Sequence, residues 1–144
     1  MRIAFGSDDR AEVVDKVLAE LRRRGHEVHV YEPEQWPDVA YKVAADVADG
    51  RAEQGVLFCW TGTGTSMAAN KVPGVRAALA WEPWIAEGAR LWNDANVLVM
   101  SLKRVSPETA LEILDAWFRV EKPDQSEAAN IGRLADIERK HLTR

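Results

Sequence analysis

The sequence is short of the residues that most often announce a chemistry. It has a single cysteine, Cys59, so no disulfide can form within the chain, and a reducing cytoplasm is the expected compartment. It has three histidines, His26, His29 and His141, each read as a surface residue. No window of about 18 apolar residues occurs, which excludes a membrane-spanning helix. The opening Met1 to Gly6 is too short an apolar stretch for a signal peptide and reads as a strand. Neither sign of charge dominates: 19 Lys and Arg stand against 23 Asp and Glu, a net charge of −4. That balance gives no reason to expect nucleic acid or an acidic membrane as a partner. Repeats and low-complexity segments are absent. What remains is an ordinary globular composition, 47% hydrophobic and 29% charged over 144 residues, enough for one domain with a real core. Six tryptophans are many for this length, and several are expected in the core or in subunit contacts.

Along the chain, strand and helix signals alternate. Ile3 to Phe5 begins a first strand, which ends at Gly6-Ser7-Asp8-Asp9. Val13, Val14, Val17, Leu18 and Leu21 keep helical spacing within Ala11 to Arg24, and Gly25 stops that helix. Val28 to Tyr31 reads as a second strand. Pro37 opens a helix with Val39, Val43, Ala44 and Val47 on its buried stripe, ended by Gly50. Gly55 to Phe58 is a continuously apolar third strand. The glycine-rich Cys59 to Gly64 turn follows, then a short helix through Met67 to Asn70. Val75 to Leu79 and Val97 to Met100 are further strands. Pro83 to Trp92 reads as a helix, as does Pro107 to Val120 behind a Ser106 cap. Ser126 to His141 forms the last helix. Five strands separated by helices imply an α/β fold, a parallel sheet covered on both faces. Ligands of such sheets bind beyond the carboxyl ends of the strands, at the switch point. Three loops belong there: Gly6 to Asp9, Cys59 to Gly64, and Ser101 to Ser106.

The second of these loops has the most chemistry. Gly62 and Gly64 permit a sharp bend and a close approach to a ligand. Backbone amides at the start of the following helix, placed after Ser66, offer an anion or oxyanion site. The spacing fits neither a dinucleotide fingerprint nor a phosphate-binding Walker loop. Cys59 opens the turn. A lone cysteine is more often a small buried hydrophobe, but a helix N-terminus beside it favours the thiolate. A thiolate among fixed donors is suited to removing a proton from carbon next to a carbonyl. Thr61 either bonds a substrate oxygen or stabilises the turn.

The segment Cys59-Trp60-Thr61-Gly62-Thr63-Gly64-Thr65-Ser66-Met67-Ala68-Ala69-Asn70-Lys71 resembles the Cys-Gly-Thr-Gly-x-Gly-x-Ser-x-Ala-Ala-Asn-Lys motif of the type B ribose-5-phosphate isomerase and galactose-6-phosphate isomerase family. Val75-Arg76-Ala77-Ala78-Leu79, Asn93-Asp94-Ala95-Asn96-Val97-Leu98, Gly6-Ser7-Asp8 and Asp115-Ala116-Trp117 match its other landmarks. The resemblance covers almost the whole chain. It implies a single Rossmann-like domain over residues 1–144, a three-layer αβα sandwich with a five-stranded parallel sheet. It also implies aldose–ketose isomerisation of a sugar phosphate through an enediolate, without metal or other cofactor. A homodimer or dimer of dimers is implied, with active sites between subunits and the helix at about 126–141 packing on a partner. By the same resemblance Cys59 is the proton-transferring base, Thr61 acts at the sugar ring or oxyanion, and Trp60, Gly62, Thr63 and Gly64 form the substrate loop. Asp8 and Asn93 match substrate-contacting positions.

The chain departs from the motif at four places. Asp9 stands where the family has histidine, and Trp92 stands where it has the ring-opening histidine. Trp60 replaces a loop glycine, and Lys103 takes the place of a phosphate-binding arginine. Two further arginines fall on Ser126 and Asn130 without a gap. With a loop longer by three residues they fall on Ala129 and Arg133, the preferred alignment because Arg133-Leu134-x-x-Ile137 keeps the helix pattern. Asn130 and Arg133 then share a helix face. These changes point to an open-chain sugar, a short one such as a tetrose derivative, or one without phosphate. Alternatively Trp60 and Trp92 pack between subunits and the substrate is unchanged. Epimerisation through the same enediolate, or a non-catalytic sugar-binding partner subunit, are the rival functions.

Overall fold

Apolar runs too short for helices become the strands of one sheet in the computed structural model, which describes residues 1–142. They are β1 (Arg2–Ser7), β2 (Glu27–Val30), β3 (Gln54–Cys59), β4 (Ala77–Leu79) and β5 (Val97–Ser101). All neighbours pair parallel, in the order β2-β1-β3-β5-β4. β3 and β5 are buried along their whole length, which is why they read as unbroken apolar runs. β2 lies at an edge and is largely exposed.

Side chains alternate between two apolar layers, as the strand period of two requires. Phe5, Phe58 and Met100 face α1 (Glu12–Arg23), α4 (Pro83–Asn93) and α5 (Pro107–Arg119). Ala4, Leu57 and Val99 face α2 (Trp36–Ala48) and α3 (Thr63–Ala69). This is the expected αβα sandwich. A 3-10 turn at Gln125–Glu127 leads into α6 (Ala128–Leu142), which has no buried residue. One of its tethers is Glu138, which accepts from the Gly74 amide at 2.9 and 3.1 Å.

Local chemistry sets the helix ends. The Ser106 hydroxyl accepts from the Thr109 amide at 3.1 Å, and Pro107 follows it in the first turn of α5. Most boundaries shift by a residue from the sequence reading, and three shifts have a readable cause. α3 starts at Thr63, inside the glycine turn and ahead of Ser66, because Gly62 takes a left-handed φ of 83° and acts as its N-cap. β4 starts at Ala77, because the Arg76 amide is taken by the Asn96 side chain at 2.7 Å and the Val75 amide by a turn. The last helix begins as a 3-10 turn, capped when Asp124 accepts from the Ser126 amide at 2.9 Å. Of the six tryptophans only Trp117 is in the core, its Nε1 donating to Gln54 Oε1 at 2.9 Å. The other five are exposed, more than the sequence suggested. His26 is half-buried rather than a surface residue: its ring stacks on Phe118 and its Nδ1 lies 3.2 Å from the terminal amine.

Candidate active site

β1 and β3 are neighbours, but the chain leaves β1 toward one edge and β3 toward the other. Their carboxyl ends therefore border the crevice that such sheets use for ligands. The three loops expected there do meet. The Asp8 amide donates to Phe58 O at 3.2 Å, the Leu102 amide to Cys59 O at 2.9 Å, and the Ser101 hydroxyl to Trp60 O at 2.6 Å. A cavity of about 440 Å³ opens at this junction, lined by Asp8, Trp36, Cys59, Trp60, Thr61, Thr63 and Gly64.

Cys59 ends β3 and is only 4% exposed, yet it lines this cavity. Its sulfur is thus enclosed but reachable. Thr65, fully buried in the first turn of α3, donates its hydroxyl to Sγ at 3.3 Å. The same hydroxyl lies 3.4 Å from Gly62 O. The sulfur is held by a fixed donor on one side and opens to the cavity on the other. The Thr61 and Thr63 hydroxyls are hydrogen-bonded at 2.7 Å across the mouth, and the Thr63 amide donates to Thr61 Oγ1 at 3.3 Å. The first amides of a helix have no partner within it, so the start of α3 presents donors beside the sulfur.

Gly62 is required by its backbone, and Gly64 makes room for the Trp36 ring. A Cβ on Gly62 would strike Leu79 Cδ1 and crowd the Met100 backbone at 3.3 Å, in addition to the left-handed φ. A Cβ on Gly64 would lie 2.9 Å from the Trp36 ring. Asp8 contributes a carboxylate whose Oδ1 is enclosed with no hydrogen-bond partner. Burial first, and the Asp9 charge second, push its carboxyl above the ordinary value of 3.8, against a lowering by its own backbone amide.

Asp9 and Lys103 reach the site indirectly, through Trp60. The indole Nε1 donates to Asp9 Oδ2 at 3.4 Å, and the Lys103 ammonium sits 4.6 Å from the ring centroid. Trp92, Asn93, Asn130 and Arg133 do not line the Cys59 cavity within one chain. Trp92 packs edge-on against Trp84 at 5.9 Å. Asn93 lines a separate cavity of about 390 Å³ with Asn70, Arg76, Leu134 and Glu138. Asn130 donates to Glu127 Oε2 at 3.0 Å, and Arg133 is exposed on α6. Sequence reasoning gave no role to Trp36 or Thr65. Thr65 lies within the quoted motif and had a signal, its place six residues after the cysteine across the glycine turn. Trp36, distant in sequence, had none.

A cavity of similar size, about 390 Å³, is lined by Arg2, His29, Tyr31, Asp46 and Arg51. It lies where β1 begins and where the chain enters β3, the amino edge of the sheet. Its central carboxylate is already paired: Asp46 accepts from Tyr31 at 2.6 Å and from Arg51 at 2.8 Å. The Cys59 cavity is the better candidate, because it has a nucleophile and an unpaired carboxylate oxygen. No cluster suited to a metal ion occurs among the described residues.

A parallel doubly wound sheet with a cysteine-opened glycine turn at its switch point defines a class: small αβα domains with a polar ligand crevice at the carboxyl ends of their strands. The ribose/galactose isomerase family model matches residues 3–135, and the chain belongs to that family. Ribose-5-phosphate isomerase B of Escherichia coli is 40% identical over 81% of this chain and 83% of its own length. D-erythrulose-4-phosphate isomerase of Pectobacterium atrosepticum is 33% identical over 96% of this chain and 95% of its own. The structure of Clostridium thermocellum ribose-5-phosphate isomerase B superposes with a TM-score of 0.92 at 36% identity, covering 98% of this chain and 99% of that one.

Proposed function

We propose that this chain interconverts an aldose phosphate and its ketose through a cis-enediolate, with Cys59 as the base. The observation that carries the reading is the Cys59 sulfur, enclosed at the β1/β3 crevice, held by Thr65 and facing a cavity. The thiolate removes the proton from C2 of the open-chain aldose, and the electron pair moves onto the carbonyl oxygen. Amides at the start of α3 and the Thr61 hydroxyl donate to the enediolate oxygens, where the charge develops. The thiol returns the proton to C1 as the hydroxyl proton passes from O2 to O1. Asp8 accepts from a substrate hydroxyl, which relieves its unpaired oxygen.

We further propose a homodimer, acting in the cytoplasm, in which α4 and α6 of one subunit complete the site of the other. Support comes from the apolar side chains left uncovered: Trp84 and Trp92 on α4, Leu134 and Ile137 on α6, and Met67 on α3. An uncovered set of this kind supports that reading. Trp92, Asn93, Asn130 and Arg133 then serve the partner's Cys59 cavity, with Arg133 binding phosphate. The relatives bear names that give two sugars, ribose 5-phosphate and D-erythrulose 4-phosphate, and either is compatible with this chemistry.

Two variants test the reading together. Cys59→Ala and Arg133→Ala should each be nearly inactive alone, while an equimolar mixture, unfolded and refolded, should recover up to about a quarter of wild-type activity per site. Recovery requires one subunit to supply the base and the other the phosphate clamp. Full activity of Cys59→Ala alone would remove the base assignment, and a mixture as inactive as its parts would remove the shared site.

A further inference from the structure

Trp60 is more than half exposed, at 56%, yet both flanking loops hold it. Asp9, from the loop after β1, accepts from its Nε1 at 3.4 Å. Lys103, from the loop after β5, places its ammonium 4.6 Å over the ring. An exposed indole left to itself samples several rotamers. Here a carboxylate and a cation, one from each neighbour, bias it toward the rotamer that meets both. The ring forms part of the wall of the Cys59 cavity, whereas Asp9 and Lys103 meet the ring rather than the cavity. Three positions that depart from the family motif are thus in physical contact, and together they put a rigid aromatic surface where a glycine would leave open space.

The cavity also lacks an acid for sugar-ring opening. A five-carbon aldose phosphorylated on O5 closes through O4 onto C1. Opening it requires one proton delivered to the ring oxygen and one removed from O1. Within one chain none of the three histidines lines this cavity, and the only one on the helices proposed to complete it from a second subunit is His141, in the last turn of α6. His26 stacks on Phe118, His29 packs edge-on against Tyr31 at the β2 edge, and His141 lies near the end of α6. The ionisable groups that do line it are Asp8 and Cys59, and Cys59 is needed at carbon. A four-carbon aldose phosphorylated on O4 has no free hydroxyl that can close a five- or six-membered ring, so it arrives open.

We propose that Trp60, fixed by Asp9 and Lys103, is a specificity-determining residue that shortens the sugar site, and that the site takes an open-chain four-carbon sugar phosphorylated on its terminal oxygen. This rests on the isomerase reading above. Asp9 and Lys103 are positioning residues for the indole.

The test is kcat/KM for D-erythrulose 4-phosphate and for ribulose 5-phosphate, measured on wild type, Trp60→Gly, Lys103→Met and Lys103→Arg. One carbon unit at a pocket wall discriminates about 10- to 200-fold. Wild type should favour the four-carbon substrate by that factor, and Trp60→Gly should move the ratio toward the five-carbon one by about tenfold or more. Lys103→Met should move it the same way and Lys103→Arg should restore it. A lysine that only binds phosphate would instead weaken both substrates alike. In parallel, the rate of ribose 5-phosphate consumption should level off as enzyme concentration rises, at the rate of spontaneous ring opening. A wild-type preference for the five-carbon sugar, an unchanged ratio in Trp60→Gly, or a rate that keeps rising with enzyme would each overturn the proposal. Should Trp60→Gly fail to fold, Trp60→Ala and the two Lys103 variants carry the same readout. Wild-type inactivity on every sugar phosphate would remove the isomerase reading itself; activity with the wrong preference removes only this one.

Discussion

Replacing Thr65 with valine isolates the hydrogen bond to the Cys59 sulfur. Valine keeps the branched shape and removes the hydroxyl that lies 3.3 Å from Sγ and 3.4 Å from Gly62 O. The fold should tolerate this change. Gly62 O still accepts from the Ser66 amide at 3.2 Å, so no buried carbonyl is orphaned, and the loss is one net hydrogen bond, about 1 kcal/mol. Catalysis should suffer more. When the sulfur is anionic the bond is charge-assisted and contributes about 1.5–3 kcal/mol. At about 1.4 kcal/mol per factor of ten, kcat should fall about 10- to 150-fold. KM should move little, since Thr65 does not line the cavity. A coupled isomerase assay gives kcat and KM, and urea denaturation gives the stability. Wild-type kcat in a folded Thr65→Val protein would refute the idea that this hydroxyl serves the sulfur. A stability loss well beyond 1 kcal/mol would show that its role is structural.

Other sites give further tests. Gly62→Ala imposes a left-handed φ on alanine and drives a Cβ toward Leu79, so urea denaturation should show a loss of about 2 kcal/mol or more; a change within about 0.5 kcal/mol would contradict the turn geometry. Asp8→Asn should raise KM and abolish an acid limb of the kcat/KM profile: the Asp8 carboxylate is lost as pH falls through a value above 3.8, and asparagine does not titrate. Glu20 bonds Arg23 and then Arg24, which hold its carboxyl at about 2 against an ordinary 4.5. Its contribution to stability is therefore complete above about pH 4.5 and lost as pH falls through about 2. Glu20→Gln should be less stable than wild type at pH 7, the gap should shrink steadily between about pH 4.5 and pH 2, and a gap that stays constant over that range would contradict the pairing.

Most of the architecture was legible because the core strands are buried on both faces. Gly55 to Phe58 and Val97 to Met100 have no polar interruption, and helical spacing of Val13, Val17 and Leu21 marks a helix that packs into the core on one face of the sheet. The boundaries that went astray are set by side-chain hydrogen bonds that no apolar pattern records. Asn96 takes the Arg76 amide and shortens β4, and a left-handed Gly62 lets α3 begin among threonines and glycine, which are weak helix formers. The site was legible where it is local: Cys59, Thr61 and the glycines are contiguous, and the loop after β1 could be placed from topology alone. Trp36 was not, because only the packing of α2 brings it over Gly64. The contact of Asp9 and Lys103 with Trp60 was equally hidden, since each departure from the motif was read alone. Trp92, Asn93, Asn130 and Arg133 stand at positions that the sequence reading gave to the site and that one chain does not unite with the cysteine.

The most direct measurement of the role of Cys59 is proton exchange at carbon. The enzyme is incubated with its sugar phosphate in deuterium oxide, and deuterium at C1 and C2 is followed by NMR for wild type and for Cys59→Ala, with substrate binding by the variant checked by calorimetry. Deuterium should enter with wild type, and the alanine variant should bind the sugar yet leave its carbon-bound hydrogens in place. Exchange at the wild-type rate in Cys59→Ala would contradict the assignment of that sulfur as the base.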